Sequence, residues 1–169
     1  MYIGIIGSGT MGNGIAHVFS LYKNNVLLVD VSETILDKAM KTIENNMKRQ
    51  CAKNIINSNQ MKSALNNINT SINIEKLKEC DLIVEAIKED YAIKSEIFKK
   101  LDNICNHKTI FATNTSSISI NKLSSSTARP DRFIGMHFMN PVPIMKLVEV
   151  IKGTDTSLET LNFINNLSK

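Results

Sequence analysis

The chain has 169 residues, 43% of them hydrophobic, enough for one compact domain that needs neither a metal nor a disulfide to fold. Twenty basic residues against sixteen acidic give +4 at pH 7, but the lysines are scattered singly, with no Arg-rich stripe or aromatic row, which argues against a nucleic-acid partner. Cys51, Cys80 and Cys105 form no CxxC pair, the start MYIGIIG lacks a signal-peptide pattern, and no apolar run approaches the roughly 18 residues of a membrane span, so a cytoplasmic, non-membrane protein is expected.

The predicted elements begin with a short strand over Tyr2 to Ile6, broken by Gly7, and a helix over Met11 to Tyr22 with apolar residues at helical spacing. Val26 to Asp30 (VLLVD) reads as a second strand, and its lack of polar alternation suits a sheet covered on both faces. Ser32 and Glu33 start a helix running to about Gln50; Asn54 to Asn67 reads as a turn and a second helix, and Ile68 to Ile72 as a weak strand. Asp81 to Ile87 (DLIVEAI) is a strong strand. Asp90 caps a helix over Tyr91 to Ile104, with Ile93, Ile97, Leu101 and Ile104 as its expected apolar stripe. A strand at Thr109 to Thr113, a short helix at Ser119 to Leu123, strands at Phe133 to Phe138 and Met145 to Ile151, and a helix from Ser157 to Leu167 complete the chain. The succession predicts an α/β, Rossmann-like doubly wound sheet, with antiparallel strands possible near the end. The last helix carries a wide apolar surface at Leu158, Leu161, Phe163, Ile164 and Leu167.

GSGTMG at Gly7 to Gly12 places GxGxxG between the first strand and first helix. Gly7 permits the tight turn, Gly9 lets the backbone approach a pyrophosphate, and Gly12 permits close helix packing; with Thr10 and Met11 they form the candidate phosphate-facing set. Asp30, at the end of the second strand, can accept hydrogen bonds from ribose hydroxyls and would repel a 2′-phosphate, which favours NAD over NADP. Glu85 and Glu89 fall at and beyond the end of DLIVEAI, on the crevice side, where a cofactor contact and a structural role both remain open.

ATNTSSISI puts Asn114, Thr115, Ser116 and Ser117 directly after a strand, where they can cap a turn or line a site. His137 stands at another strand end, either a satisfied core histidine or an acid/base. Glu149 interrupts the apolar strand LVEVI; as a buried carboxylate it would need a partner, and an imidazole would serve. His17, His107 and His137 lack metal-ligand spacing.

Taken together, IGIIGSGTMGNGIA, DLIVEAI, ATNTSSISI and RPDRFIGMHFMNPVPIMKLVEVI resemble the N-terminal cofactor domain of the short-chain L-3-hydroxyacyl-CoA dehydrogenases, and most of all the bacterial 3-hydroxybutyryl-CoA dehydrogenases. The resemblance spans nearly the whole chain and is weakest over Lys53 to Asn73. It implies NAD as cofactor, an acyl-CoA substrate, His137 as catalytic base, Glu149 as its orienting partner and Ser116 as the group that meets the substrate's 3-oxygen. Asn140 falls in the active-site string, while Glu89, Lys94 and Asn114 match cofactor-side or substrate-side positions. It also implies a second, all-helical domain that supplies a further asparagine, much of the acyl pocket and the dimer interface. Residues 1–169 are therefore expected to be an NAD-binding domain that stops in or after its last helix. A dinucleotide-binding module without turnover, or another β-hydroxyacid dehydrogenase, are the competing readings.

Overall fold

The apolar runs of the sequence become strands of a single seven-stranded sheet, described over residues 1–169 in a computed structural model. The strands are β1 Tyr2–Ile6, β2 Asn25–Val29, β3 Ile68–Ser71, β4 Leu82–Glu85, β5 Ile110–Thr113, β6 Phe133–Phe138 and β7 Val148–Lys152. Their order is β3-β2-β1-β4-β5-β6-β7, with every neighbouring pair parallel except β6 and β7. The helices are α1 Thr10–Leu21, α2 Glu33–Ala52, α3 Ser58–Asn66, α4 Tyr91–Ile104, α5 Ile120–Ser124 and α6 Leu158–Leu167. The expected Rossmann-like doubly wound sheet forms, and its one antiparallel pairing lies at the chain end, as anticipated. No helix is long and apolar enough to cross a membrane.

The pleat sends alternate residues of each strand to opposite cores. From β2, Val26 and Leu28 join Ile3, Ile5, Ile15, Ile43 and Met47 beneath α1 and α2. Leu27 and Val29 join Ile83, Phe98, Leu101, Phe111 and Phe133 on the other face. Both faces are therefore apolar, which is why VLLVD shows no alternation. On the second face Phe98 from α4 meets Phe133 edge-on with ring centroids 4.6 Å apart. Arg129 closes the far end of α4, donating to the Asp102 carboxylate and to the carbonyls of Asp102, Cys105 and Asn106.

Several expectations shift on contact with the fold. The buried face of α4 is Lys94, Ser95, Phe98 and Leu101, while Ile93 is exposed, so the helix is turned about one residue from the predicted stripe. The turn follows from two side chains: Phe98 enters the aromatic cluster, and Lys94 is drawn inward by carboxylates. The last strand starts at Val148 rather than Met145, because Ile144 and Met145 are spent on a turn, both donating their N–H to the Pro141 carbonyl. Ser32 precedes α2 without a side-chain cap bond. The ambiguous stretch before β3 does contain a helix, α3, opened by a capping box in which Asn57 and Gln60 bond each other's backbone N–H. Leu158 of α6 is exposed, as are Ile144 and Leu147 before β7.

Candidate functional site

β1 lies between β2 and β4, so the connections leaving β1 and β4 separate at a crevice beyond their carboxyl ends. Gly7 turns the chain there with φ +90°, and a Cβ on it would lie 2.7 Å from the Ala86 carbonyl oxygen. A Cβ on Gly12 would lie 1.7 Å from the Gly7 oxygen, so α1 sits directly against the turn. At Gly9 a Cβ would meet nothing within 4 Å: the backbone faces open space. α3, α4, α5 and α6 are capped by Asn57, Asp90, Ser119 and Ser157, but α1 has no side-chain cap and no acidic residue in its first turn. Its first N–H groups, beginning at Thr10 and Met11, are thus left for an anion from outside the chain. Asp30 stands beside this turn, its Oδ2 accepting from Ser8 N–H and Ser8 Oγ, each at 2.7 Å. An open glycine edge, unclaimed donors and an adjacent carboxylate fit a dinucleotide.

The next strand end carries a buried ion cluster. Glu85 has no exposed surface; it accepts from Lys94 Nζ at 2.7 Å, Thr113 Oγ1 at 2.6 Å and Ile87 N–H at 2.8 Å. Burial pushes its carboxyl up, and the Lys94 ammonium opposes that shift. Lys94 also lies 3.0 Å from Glu89 Oε2. The other oxygen of Glu89 accepts from Thr115 Oγ1, Ser116 N–H at 3.1 Å, and Ser117 N–H and Oγ at 3.3 and 3.2 Å. Burial works to raise the Glu89 carboxyl, but the hydrogen bonds from Thr115 and Lys94 outweigh it and hold the group down at about 2.

The antiparallel register of β6 and β7 sets His137 opposite Glu149, and His137 Nδ1 bonds Glu149 Oε2 at 2.7 Å. This contact fixes the ring and leaves Nε2 without a protein partner. The two side chains line a cleft of about 380 Å³ together with Thr115, Ser116, Ser117 and residues of α5. Three hydroxyls around it, those of Thr113, Thr115 and Ser117, are bound to glutamates, whereas the Ser116 hydroxyl has no protein partner.

The family model of the 3-hydroxyacyl-CoA dehydrogenase NAD binding domain matches residues 2–169. The chain belongs to this family. It is 44% identical over 169 residues to the 3-hydroxybutyryl-CoA dehydrogenase of Clostridioides difficile, covering 100% of this chain and 60% of the relative. It is 42% identical to the human mitochondrial hydroxyacyl-coenzyme A dehydrogenase, covering 99% of this chain and 55% of that one. The crystal structure of (S)-3-hydroxybutyryl-CoA dehydrogenase from Ralstonia eutropha superposes with a TM-score of 0.97 at 44% identity, over 99% of this chain and 59% of that one. The chain thus spans about three-fifths of the length of such relatives. The cofactor of this 3-hydroxyacyl-CoA dehydrogenase family is NAD, in keeping with the open glycine turn.

Within this dehydrogenase domain, the residues singled out from sequence do not all meet. His137, Glu149 and Ser116 share the cleft. Glu149 is not the buried carboxylate expected; its side chain is 52% exposed because β7 is the sheet's edge strand. Lys94 does not face the crevice: it is 1% exposed, its ammonium held by Glu85 and Glu89. Asn114 joins two strand ends, its Oδ1 accepting from Phe138 N–H at 2.8 Å. Asn140 lies exposed on the turn after β6, joined to Pro141 by a cis peptide and away from the cleft lining.

Two features escaped the sequence. A Cβ on Gly14 would come within 2.8 Å of Val142 Cβ, so the second glycine of MGNG lets α1 accept the PVP turn. Beside it, buried His17 bonds Gln50 Oε1 through Nε2 at 3.0 Å. Burial lowers the His17 pKa, against a smaller lift from Gln50, and its Nδ1 has no partner. Cys80 and Cys105 are buried thiols, pushed up by burial to about 12 and about 11, which makes both poor nucleophiles. No three His, Cys, Asp or Glu side chains converge on a point that could hold a metal ion.

Proposed function

We propose that this chain is the cofactor-binding part of an enzyme that interconverts (S)-3-hydroxybutyryl-CoA and acetoacetyl-CoA, or a close 3-hydroxyacyl homologue, with His137 as acid/base. The observation that carries this reading is the His137–Glu149 pair, 2.7 Å apart in the same cleft as the free Ser116 hydroxyl. NAD, when bound along the Gly7 to Gly12 turn, supplies the acceptor for the hydride from substrate C3. The first-turn N–H groups of α1 would bind the pyrophosphate, and Asp30 would accept from the adenosine ribose by exchanging its bonds to Ser8. Glu89 would lie toward the nicotinamide end.

In the oxidative direction His137 Nε2 takes the proton of the 3-hydroxyl while the C3–H electron pair leaves as hydride and the C–O bond becomes a carbonyl. In reduction the imidazolium returns that proton to the forming alkoxide. Glu149 orients the ring through Nδ1 and faces the positive charge created on it. Ser116 would donate a hydrogen bond to the 3-oxygen, and Asn140 would join the site only if its turn moved inward against the substrate. The relatives' additional length offers the other wall of the acyl pocket and an assembly surface. Residues 1–169 assayed by themselves should bind cofactor and turn over slowly. Its three thiols are free, which suits a cytoplasmic enzyme.

Two assays on the chain test this: NADH binding by fluorescence, and acetoacetyl-CoA-dependent NADH oxidation, alone and with the separately produced C-terminal part of a relative. Binding alone with turnover on mixing is expected. No binding at millimolar NADH overturns the cofactor reading, and tight binding without turnover in the mixture favours a dinucleotide-binding module.

A further inference from the structure

Glu89 is tied to more of the protein than a cofactor contact would need. One of its oxygens gathers the Thr115 hydroxyl, two consecutive backbone N–H groups and the Ser117 hydroxyl, all from the turn leaving β5. Its other oxygen rests on the Lys94 ammonium, which is itself buried and anchored to Glu85. Asp90 caps α4 directly after Glu89, accepting from Ala92 and Ile93 N–H, so the backbone carrying Glu89 is also fixed. The Ser116 hydroxyl, in the middle of the gathered turn, is the one left without a protein partner and lines the cleft.

We propose that Glu89, anchored from beneath by Lys94, is a positioning residue for Ser116: it sets the turn that aims the free hydroxyl at the substrate's 3-oxygen. This rests on the reading above of Ser116 as the group that meets that oxygen. A neutral residue could not collect four donors on one oxygen as strongly as a carboxylate does, because charge-assisted bonds are about twice as strong as neutral ones. The carboxylate in turn needs the buried ammonium, since its neighbours otherwise offer only dipoles. Lys94 thus acts through Glu89 and not by touching a ligand, which accounts for its inward placement.

The test is amide exchange by NMR on the 169-residue chain. In Glu89→Ala the Ser116 and Ser117 amides should exchange at least about tenfold faster, while the Asn114 amide, which donates to the Glu85 carbonyl at 2.8 Å, stays protected. Glu89→Gln, which keeps an acceptor, should show a smaller rise. Lys94→Met should follow Glu89→Ala; because it strands two carboxylates and can unfold the chain, Glu89→Gln is the decisive variant if it does. Faster exchange at Asn114 as well would mean general loosening and overturn the proposal, as would unchanged exchange at Ser116 and Ser117. Where the chain turns over, Glu89→Ala should lower kcat about tenfold or more, yet change it by less than about twofold in a Ser116→Ala background. An equal loss in both backgrounds overturns the coupling. Absence of turnover in the parent counts against the functional reading alone, and the exchange result then decides this one.

Discussion

Gly9→Ala separates folding from cofactor binding at the glycine turn. Gly9 has φ −61° and ψ −166°, within reach of any L-residue, and its added Cβ would touch nothing within 4 Å. As N-cap of α1, alanine is poorer than glycine by roughly 0.5 kcal/mol, while a less flexible unfolded chain returns roughly 0.4–1 kcal/mol. The two nearly cancel, so urea denaturation should show a change within about 0.5 kcal/mol. The same methyl group occupies the open face where a pyrophosphate would lie, so the Kd for NADH should rise at least about tenfold, the equivalent of roughly 1.4 kcal/mol. Gly12→Ala provides the opposite control: its Cβ would fall 1.7 Å from the Gly7 oxygen, a backbone atom that can move only with the turn, and the fold itself should lose about 1–3 kcal/mol. A Gly9→Ala chain that unfolds more readily than the parent, or that binds NADH equally well, would refute this reasoning.

Glu149→Gln should lower turnover by about 10²-fold or more while the NADH Kd stays put, because the ring loses the partner that orients it and receives its charge; unaltered kcat would remove Glu149 from the mechanism. Phe98→Ala empties the aromatic cluster beneath α4 and should cost about 3–5 kcal/mol in chemical denaturation, and a loss under about 1 kcal/mol would show that the cluster repacks. His17 is held neutral by burial, so its folded pKa lies below the unfolded value near 6.5. The unfolded state then binds the extra proton first, and stability present above pH 6.5 should decline as the pH falls below it. The His17→Asn chain should lose that limb of the pH–stability curve, and an identical limb in both chains would assign it elsewhere.

What could be read from sequence was local. The turn at Gly7 to Gly12, the Asp90 cap and the strand cores announce themselves within a few residues, because backbone geometry and capping depend on near neighbours. The Asn57–Gln60 capping box was equally local and gave the available signal for α3 amid polar surroundings. The rotation of α4 was not local: it follows from Phe133, Glu85 and Glu89, which reach the helix from separate elements. Burial of Lys94 inverts the usual expectation for a lysine, and only the pair of carboxylates around it makes that burial tolerable. The exposure of Glu149 depended on strand order, since the same LVEVI run in the middle of the sheet would have been covered on both faces. The link from His17 through Gln50 toward the Pro143 carbonyl joins three regions far apart in the chain.

β7 is the one strand that runs against its neighbour, and this sets the His137–Glu149 contact by ladder register. Because the β6–β7 ladder meets His137 with Glu149, the exposed residues Ile144 to Leu147 can change in number without separating the two side chains, whereas Val142 is held in the core against Gly14. A single deletion inside β7 after Glu149 would instead send the carboxylate to the sheet's opposite face. The exposed stretch Ile144 to Leu147 can therefore be remodelled while the His137–Glu149 contact is inherited intact, provided that the count along one edge strand is kept.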